Sequence, residues 1–196
     1  MIKRKICVVI NNRANYARIK SALVAIKKNS KLELQIVLGS SAVLSRYGAV
    51  SNIIKKDGFK INYTVYTLVE GENLLTMSKS AGLSVIEFST AFDQLKPDIV
   101  LVIADRYETL AAGVAASYMN IPLAHTQGGE VTGSIDESVR HATTKLAHIH
   151  FPASLNAKKN IRKSAYKKNN LNEKEIKKNR QYSQISKEFK QIRKIS

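Results

Sequence analysis

The sequence predicts an α/β protein built on one parallel sheet with helices on both faces. Three observations carry that reading. Short, largely apolar runs recur along the chain, among them 5–10, 32–38 and 99–104, and runs of this length suit strands of a parallel sheet, those apolar throughout being buried on both faces. Between them lie longer segments whose apolar residues recur at helical spacing, such as Ile19, Leu23 and Ile26. Two of the runs end in polar clusters, Asp105-Arg106 and Gln127 to Glu130. The carboxyl ends of strands are where such sheets bind ligands.

Residues 5–10 (Lys-Ile-Cys-Val-Val-Ile) read as the first strand, with Asn11 to Tyr16 as a loop and 17–28 as an amphipathic helix. A second strand over 32–38 ends at Gly39-Ser40, and 41–56 reads as a helix with Val43, Leu44, Val50, Ile53 and Ile54 inward. Asp57-Gly58 is a turn signal, and 61–67 is the centre of a third, alternating strand. A long helix over 73–95, interrupted near Gly82, turns Met77, Leu83, Ile86, Phe88 and Phe92 inward and stops before Pro97. Strand 98–104, helix 107–118 and strand 121–125 follow. Ser134 and Glu137 form a Ser-x-x-Glu capping box that starts a helix at Ile135, with Ile135, Val139, Ala142 and Leu146 facing the sheet. A sixth strand covers 148–152. Strands alternating with helices imply βαβ units and right-handed crossovers.

Composition narrows the function. The net charge of +17 invites a nucleic-acid reading, but its distribution argues against one. Residues 1–154 hold 18 Lys+Arg against 12 Asp+Glu, a net of +6, whereas residues 155–196 hold 14 against 3, a net of +11. The globular part is mildly basic, which suits an anionic small molecule. The single cysteine, Cys7, excludes an intrachain disulfide. The apolar run after Lys3, Arg4 and Lys5 is too short for a signal peptide, and no run has the length of a membrane span. A cytoplasmic protein without membrane contact is expected.

Several residues carry chemistry by position. Arg13 stands where a strand meets a helix N-terminus, a place that suits phosphate, although the loop lacks a Gly-x-Gly-x-x-Gly pattern. Asp105 and Arg106 end an apolar strand. Gly128-Gly129, between Gln127 and Glu130, permit close backbone approach to a ligand. Asp136 and Arg140 lie four apart on a helix, and by spacing alone they read as a local ion pair. The four histidines, His125, His141, His148 and His150, make no metal motif. No metal and no cofactor is expected.

The string from His125 to His141, His-Thr-Gln-Gly-Gly-Glu-Val-Thr-Gly-Ser-Ile-Asp-Glu-Ser-Val-Arg-His, resembles the hydrolysing UDP-N-acetylglucosamine 2-epimerases of sialic acid biosynthesis. Asn12 to Tyr16, Leu38-Gly39-Ser40, Tyr47-Gly48, Leu95 to Val100 and Asp105-Arg106-Tyr107 fit the same family in the same order. The resemblance covers about residues 3–163. It implies the first, Rossmann-like half of a glycosyltransferase-B-type fold, with the active site in a cleft between two domains. Residues 1–163 are then that N-terminal domain, and 164–196 are a basic, low-order tail unlike the family's continuation. The family's C-terminal nucleotide-binding domain has no counterpart. A truncated or shifted reading frame and a genuine short paralogue all give this picture.

The resemblance also implies a reaction. A base takes the proton at C2 of the sugar while UDP leaves from C1, and water then adds to the glycal with inversion at C2. By motif position Asp105 and Asp136 match catalytic acids, Arg140 a catalytic arginine, and Arg13 and Arg106 nucleotide contacts. Gln127 stands where the family commonly has a glutamate, and an amide is no general base. Glu130 is the nearest carboxylate. Asn15 stands where an acidic residue is common. The expected partner is a UDP-sugar, with a homo-oligomer or a separately encoded second domain as further partners and no nucleic acid. Three functions compete: a 2-epimerase giving N-acetylmannosamine and UDP, of little activity in truncated form; a UDP-N,N'-diacetylbacillosamine 2-epimerase on the way to legionaminic acid; and a non-catalytic remnant or split-enzyme half.

Overall fold

The computed structural model describes residues 3–164. The expectation of a basic, low-order tail therefore falls, from residue 165 on, outside the described residues. Six strands form one sheet, in chain order β1 (Arg4–Ile10), β2 (Leu32–Leu38), β3 (Tyr63–Thr64), β4 (Ile99–Ile103), β5 (Leu123–Thr126) and β6 (Ile149–Phe151). Their spatial order is β3-β2-β1-β4-β5-β6, and every neighbouring pair is parallel. The helices are α1 (Arg13–Lys28), α2 (Val50–Lys56), α3 (Leu74–Leu95), α4 (Tyr107–Tyr118), α5 (Ile135–Leu146) and α6 (Leu155–Ser164).

The period-2 alternation of each strand divides the core into two layers. Ile6, Val8 and Ile10, with Ile36, Leu38, Ile99, Leu101 and Ile103, meet Ile19, Leu23 and Ile26 of α1 and Val50 and Ile54 of α2. Cys7, Val9, Val37, Val100 and Val102 point to the other face, against Phe88 and Phe92 of α3 and the alanines of α4. All five residues of β4 are buried. Ala111, Ala112, Ala115 and Ala116 carry almost no bulk, which lets α4 lie close to α3 and the sheet. Helices on both faces of a parallel sheet are thus a consequence of strands apolar on both sides.

Four local expectations need correction. The segment 41–56 is not one helix but two 3₁₀ turns, Ser40–Ala42 and Ser45–Tyr47, followed by α2. Gly48 at φ 94° and Ala49 at φ 47° reverse the backbone, so a continuous helix cannot pass. The third strand pairs as a ladder only at Tyr63–Thr64, at the sheet edge. Beside it the Asn62 side chain accepts from the Ile36 N–H at 3.0 Å, replacing a main-chain rung. Helix α3 runs unbroken through Gly82, because Ser84, Phe88 and Phe92 anchor its opposite face. Met77 and Ile86 of that helix are exposed rather than inward. Among the described residues no helix is long and apolar enough to cross a membrane.

Candidate active site

The strand order reverses between β1 and β4, and the crevice at such a switch point is the usual ligand site of an open parallel sheet. Three loops leave the carboxyl edge around it. The first, after β1, holds Asn11, Asn12 and Arg13. Asn12 caps α1 by accepting from the Asn15 N–H at 2.8 Å, and the buried Asn15 side chain accepts from the Asn11 N–H at 3.2 Å. The Asn15 side-chain oxygen thus holds the loop.

The second loop, after β4, holds Ala104, Asp105 and Arg106. Ala104 adopts φ 63°, a left-handed conformation costly for a residue with a Cβ. Neighbours hold it there: its N–H donates to Thr126 O at 3.2 Å, and His125 Nε2 lies 2.7 Å from its carbonyl. The other His125 ring nitrogen, Nδ1, is 3.2 Å from Thr144 Oγ1 on α5. An imidazole facing a carbonyl through Nε2 carries its proton there, leaving Nδ1 to accept from the threonine. Burial pushes the His125 pKa down to about 4.

From Ala104 the chain presents Asp105, whose carboxylate forms an ion pair with Arg140 Nη2 of α5. Arg140 is 4% exposed, and its Nη1 also donates to Glu130 O at 2.8 Å. Burial and the nearby Arg18 charge draw its pKa down, and the Asp105 carboxylate opposes both. The local Asp136–Arg140 pair expected from spacing gives way to this pair across the sheet edge, because a buried guanidinium needs a partner beside it. Asp136 is exposed on the first turn of α5, and its charge acts on Arg106.

Arg106 Nε lies 3.2 Å from Glu108 Oε2, and Glu108 in turn accepts from Ser40 Oγ at 2.6 Å. Glu108, Ser40 and Arg18 belong to the site but did not emerge from the sequence as candidates. Arg18 Nη1 donates to Gln127 Oε1 at 3.4 Å, with Gln127 at φ 60°. Glu130 contributes its main-chain carbonyl. Arg13 is exposed and lies toward Gly48 rather than in this network. A cleft of about 590 Å³ opens beside Arg106 and Tyr107, with Arg46, Glu70, Thr76 and Ser80 in its wall.

Three sequence readings change in detail. Ser134 is the N-cap residue of α5 without a side-chain cap bond; Glu137 instead accepts from the N–H groups of Thr132 and Gly133 at 2.7 and 2.6 Å. Ile135 is exposed, and Arg140, Thr143 and Thr144 form the buried face of the helix. The two glycines serve packing within the protein. A Cβ on Gly128 would meet Thr144 Oγ1 at 2.7 Å, and one on Gly129 would meet the Ala157 carbonyl of α6 at 2.4 Å.

Carboxylates and guanidinium groups at the switch point of a parallel sheet define an α/β domain equipped for an anionic ligand. The family model described as UDP-N-acetylglucosamine 2-epimerase matches residues 24–173, and the chain belongs to that family. It is 38% identical over 152 residues to the GDP/UDP-N,N'-diacetylbacillosamine 2-epimerase (hydrolyzing) of Campylobacter jejuni subsp. jejuni, covering 77% of this chain and 39% of the relative. Identity to the UDP-N-acetylglucosamine 2-epimerase of Neisseria meningitidis is 28% over 153 residues, covering 78% of this chain and 40% of that protein. The chain thus spans about two fifths of the length of these relatives. A crystal structure of UDP-N-acetylglucosamine 2-epimerase shares the fold, with a TM-score of 0.75 at 22% identity over 85% of this chain and 46% of that one.

Proposed function

We propose that the chain is the N-terminal, catalytic-carboxylate half of a hydrolysing 2-epimerase acting on a UDP-linked 2-acetamido sugar. The observation that supports this most directly is the family match over residues 24–173. That span holds Asp105, Arg106, Gln127, Glu130, Asp136 and Arg140. In this reading a carboxylate, Asp105 or Asp136, takes the C2 proton as the C1–O bond to UDP breaks. The electron pair of the C–H bond forms the C1–C2 double bond of a glycal, and the oxygen leaves on the diphosphate. Water then adds across that double bond, its oxygen to C1 and a proton to the opposite face of C2, giving the epimer. Arg106 offsets the charge that grows on the leaving diphosphate, while Arg140 holds Asp105 in position. The sugar is UDP-N-acetylglucosamine, the substrate in the family's description. A second reading, UDP-N,N'-diacetylbacillosamine, draws support from the higher identity to the Campylobacter relative.

Complementation tests the proposal. The chain is mixed with the C-terminal part of a full-length relative, and UDP release is followed from each of the two sugars. Turnover of one sugar, lost in Asp105→Asn, is the expected result. Absence of turnover with both, together with no UDP binding, overturns it.

A further inference from the structure

The site contains a carboxylate that the reaction does not use. Glu108, in the first turn of α4, is 1% exposed, yet it lies beside a cleft open to solvent. Its two oxygens are both engaged: Oε1 by Ser40 Oγ at 2.6 Å and Oε2 by Arg106 Nε at 3.2 Å. Ser40 follows β2 and Arg106 follows β4, so one buried carboxylate ties together two loops that β1 separates in the sheet. The Tyr107 phenol joins the cluster, interacting with both Ser40 and Glu108.

The manner in which Glu108 holds Arg106 has a chemical consequence. A guanidinium presents donors along two usable edges, one made with Nε and one made by the two Nη groups. Glu108 occupies the Nε position. Among the described residues no hydrogen bond from the Nη groups of Arg106 is found, and the side chain is 51% exposed where it lines the cleft. The Nη edge matches two oxygens of a phosphate or carboxylate. A free arginine on a loop would lose side-chain entropy on meeting such a ligand, whereas one anchored at Nε has lost part of it already.

We infer that Glu108 is a positioning residue: anchored by Ser40, it fixes Arg106 at Nε and presents the Nη edge to an anionic group, the diphosphate of the ligand, in the cleft. This rests on the proposed nucleotide-sugar function for the identity of the anion, but not for the anchoring itself.

The test separates the two. In the ligand-free chain labelled with ¹⁵N-arginine, the Arg106 Nε–H signal, assigned by its loss in Arg106→Lys, exchanges slowly, and the exposed Arg13 serves as the unanchored reference. Glu108→Leu removes the acceptor at similar volume and speeds that exchange about tenfold, the scale of one charge-assisted hydrogen bond. Ser40→Ala, which removes the anchor of Glu108 without touching Arg106, speeds that exchange to a lesser extent than Glu108→Leu. Should the leucine variant not fold, Glu108→Gln, a weaker acceptor, gives the same direction. UDP titration then reads the consequence: Glu108→Leu weakens binding about tenfold in the wild-type background and has no further effect on top of Arg106→Lys. Unchanged Nε–H exchange in the Glu108 variants overturns the inference, as does an equal loss of UDP affinity with Arg106 already replaced. If the wild-type chain binds no UDP, the proposed function loses its ligand, and the exchange experiment alone decides the role of Glu108.

Discussion

Arg140 and Asp105 form an ion pair that fastens the second turn of α5 to the end of β4, across 35 positions of sequence. The arginine is almost wholly buried and the aspartate side chain is 21% exposed, so the charge deprived of water is mainly the cation. Removing the carboxylate charge strands that cation. Asp105→Asn is expected to lower the unfolding free energy by about 2 kcal/mol, below the figure for fully buried pairs because one partner is partly solvated. Urea denaturation of Asp105→Asn, Arg140→Gln and the double variant measures it. The double variant should recover about 1 kcal/mol relative to the sum of the singles, and strict additivity would sink the pairing.

Stability should fall in mild acid. The His125 pKa is pushed from the usual 6.5 down to about 4 in the folded chain by burial. A histidine depressed on folding leaves stability intact above 6.5, because both states are then neutral. Between pH 6.5 and 4 the unfolded state takes up the proton and the folded state does not, so stability drops by about 3 kcal/mol. His150, depressed in the same direction by burial, steepens the slope. Chemical denaturation across this range should show the decline, and it should be shallower in His125→Gln.

The loop after β5 tolerates no side chain at Gly129. Its φ of 83° disfavours any Cβ, and the atom would also sit 2.4 Å from the Ala157 carbonyl. Gly129→Ala should cost about 2–4 kcal/mol by strain and displacement of α6. A midpoint shift under a few tenths of a molar in urea would contradict the close packing of α6 on this loop.

Cys7 lies in the middle of β1, wholly buried, and burial drives its thiol pKa far upward. The thiolate is the reactive form, so the native chain should resist a thiol-specific reagent until it unfolds. Labelling at the rate of a free thiol in native buffer would place β1 outside the core.

The 196-residue chain by itself is expected to show no detectable 2-epimerase turnover and weak UDP binding. Fixing a diphosphate and excluding water from it need a closed cleft, and an open sheet edge supplies one wall. Incubation with UDP-N-acetylglucosamine and assay of released UDP checks this. Robust turnover lost in Asp105→Asn would show that the chain builds a full site unaided.

What the sequence made legible follows from which forces are local. The β1 and β4 runs are almost wholly apolar and β2 is apolar apart from Glu33 and Gln35, so their extents emerge to within a residue or so. The bend at Gly48 and Ala49 was not visible because a left-handed alanine leaves no signature in sequence. Asp105, Arg106 and Arg140 stood out by motif and by their position after strands or on a helix. Their pairing did not: spacing sees Asp136 four residues from Arg140, while the partner that holds it comes from another loop. Glu108 was hidden for the opposite reason, since an acidic residue in the first turn of a helix is explained by the helix dipole alone.

The strand order also constrains how the chain reaches this structure. Strand β1 sits at the centre, yet its neighbours arrive at very different times during synthesis: β2 follows after one helix, whereas β4 begins only at Ile99. Until then the growing chain carries β1 with one side paired and the other an open, apolar edge. Such edges recruit strands from other chains, and the non-local pairing that covers this one makes closure slow. Helix α5, carrying Arg140, is synthesised later still. The carboxyl edge of this sheet therefore begins to assemble only when β4 removes its greatest hazard of aggregation, and a ribosome-bound fragment ending before residue 99 should be the form that most needs a chaperone.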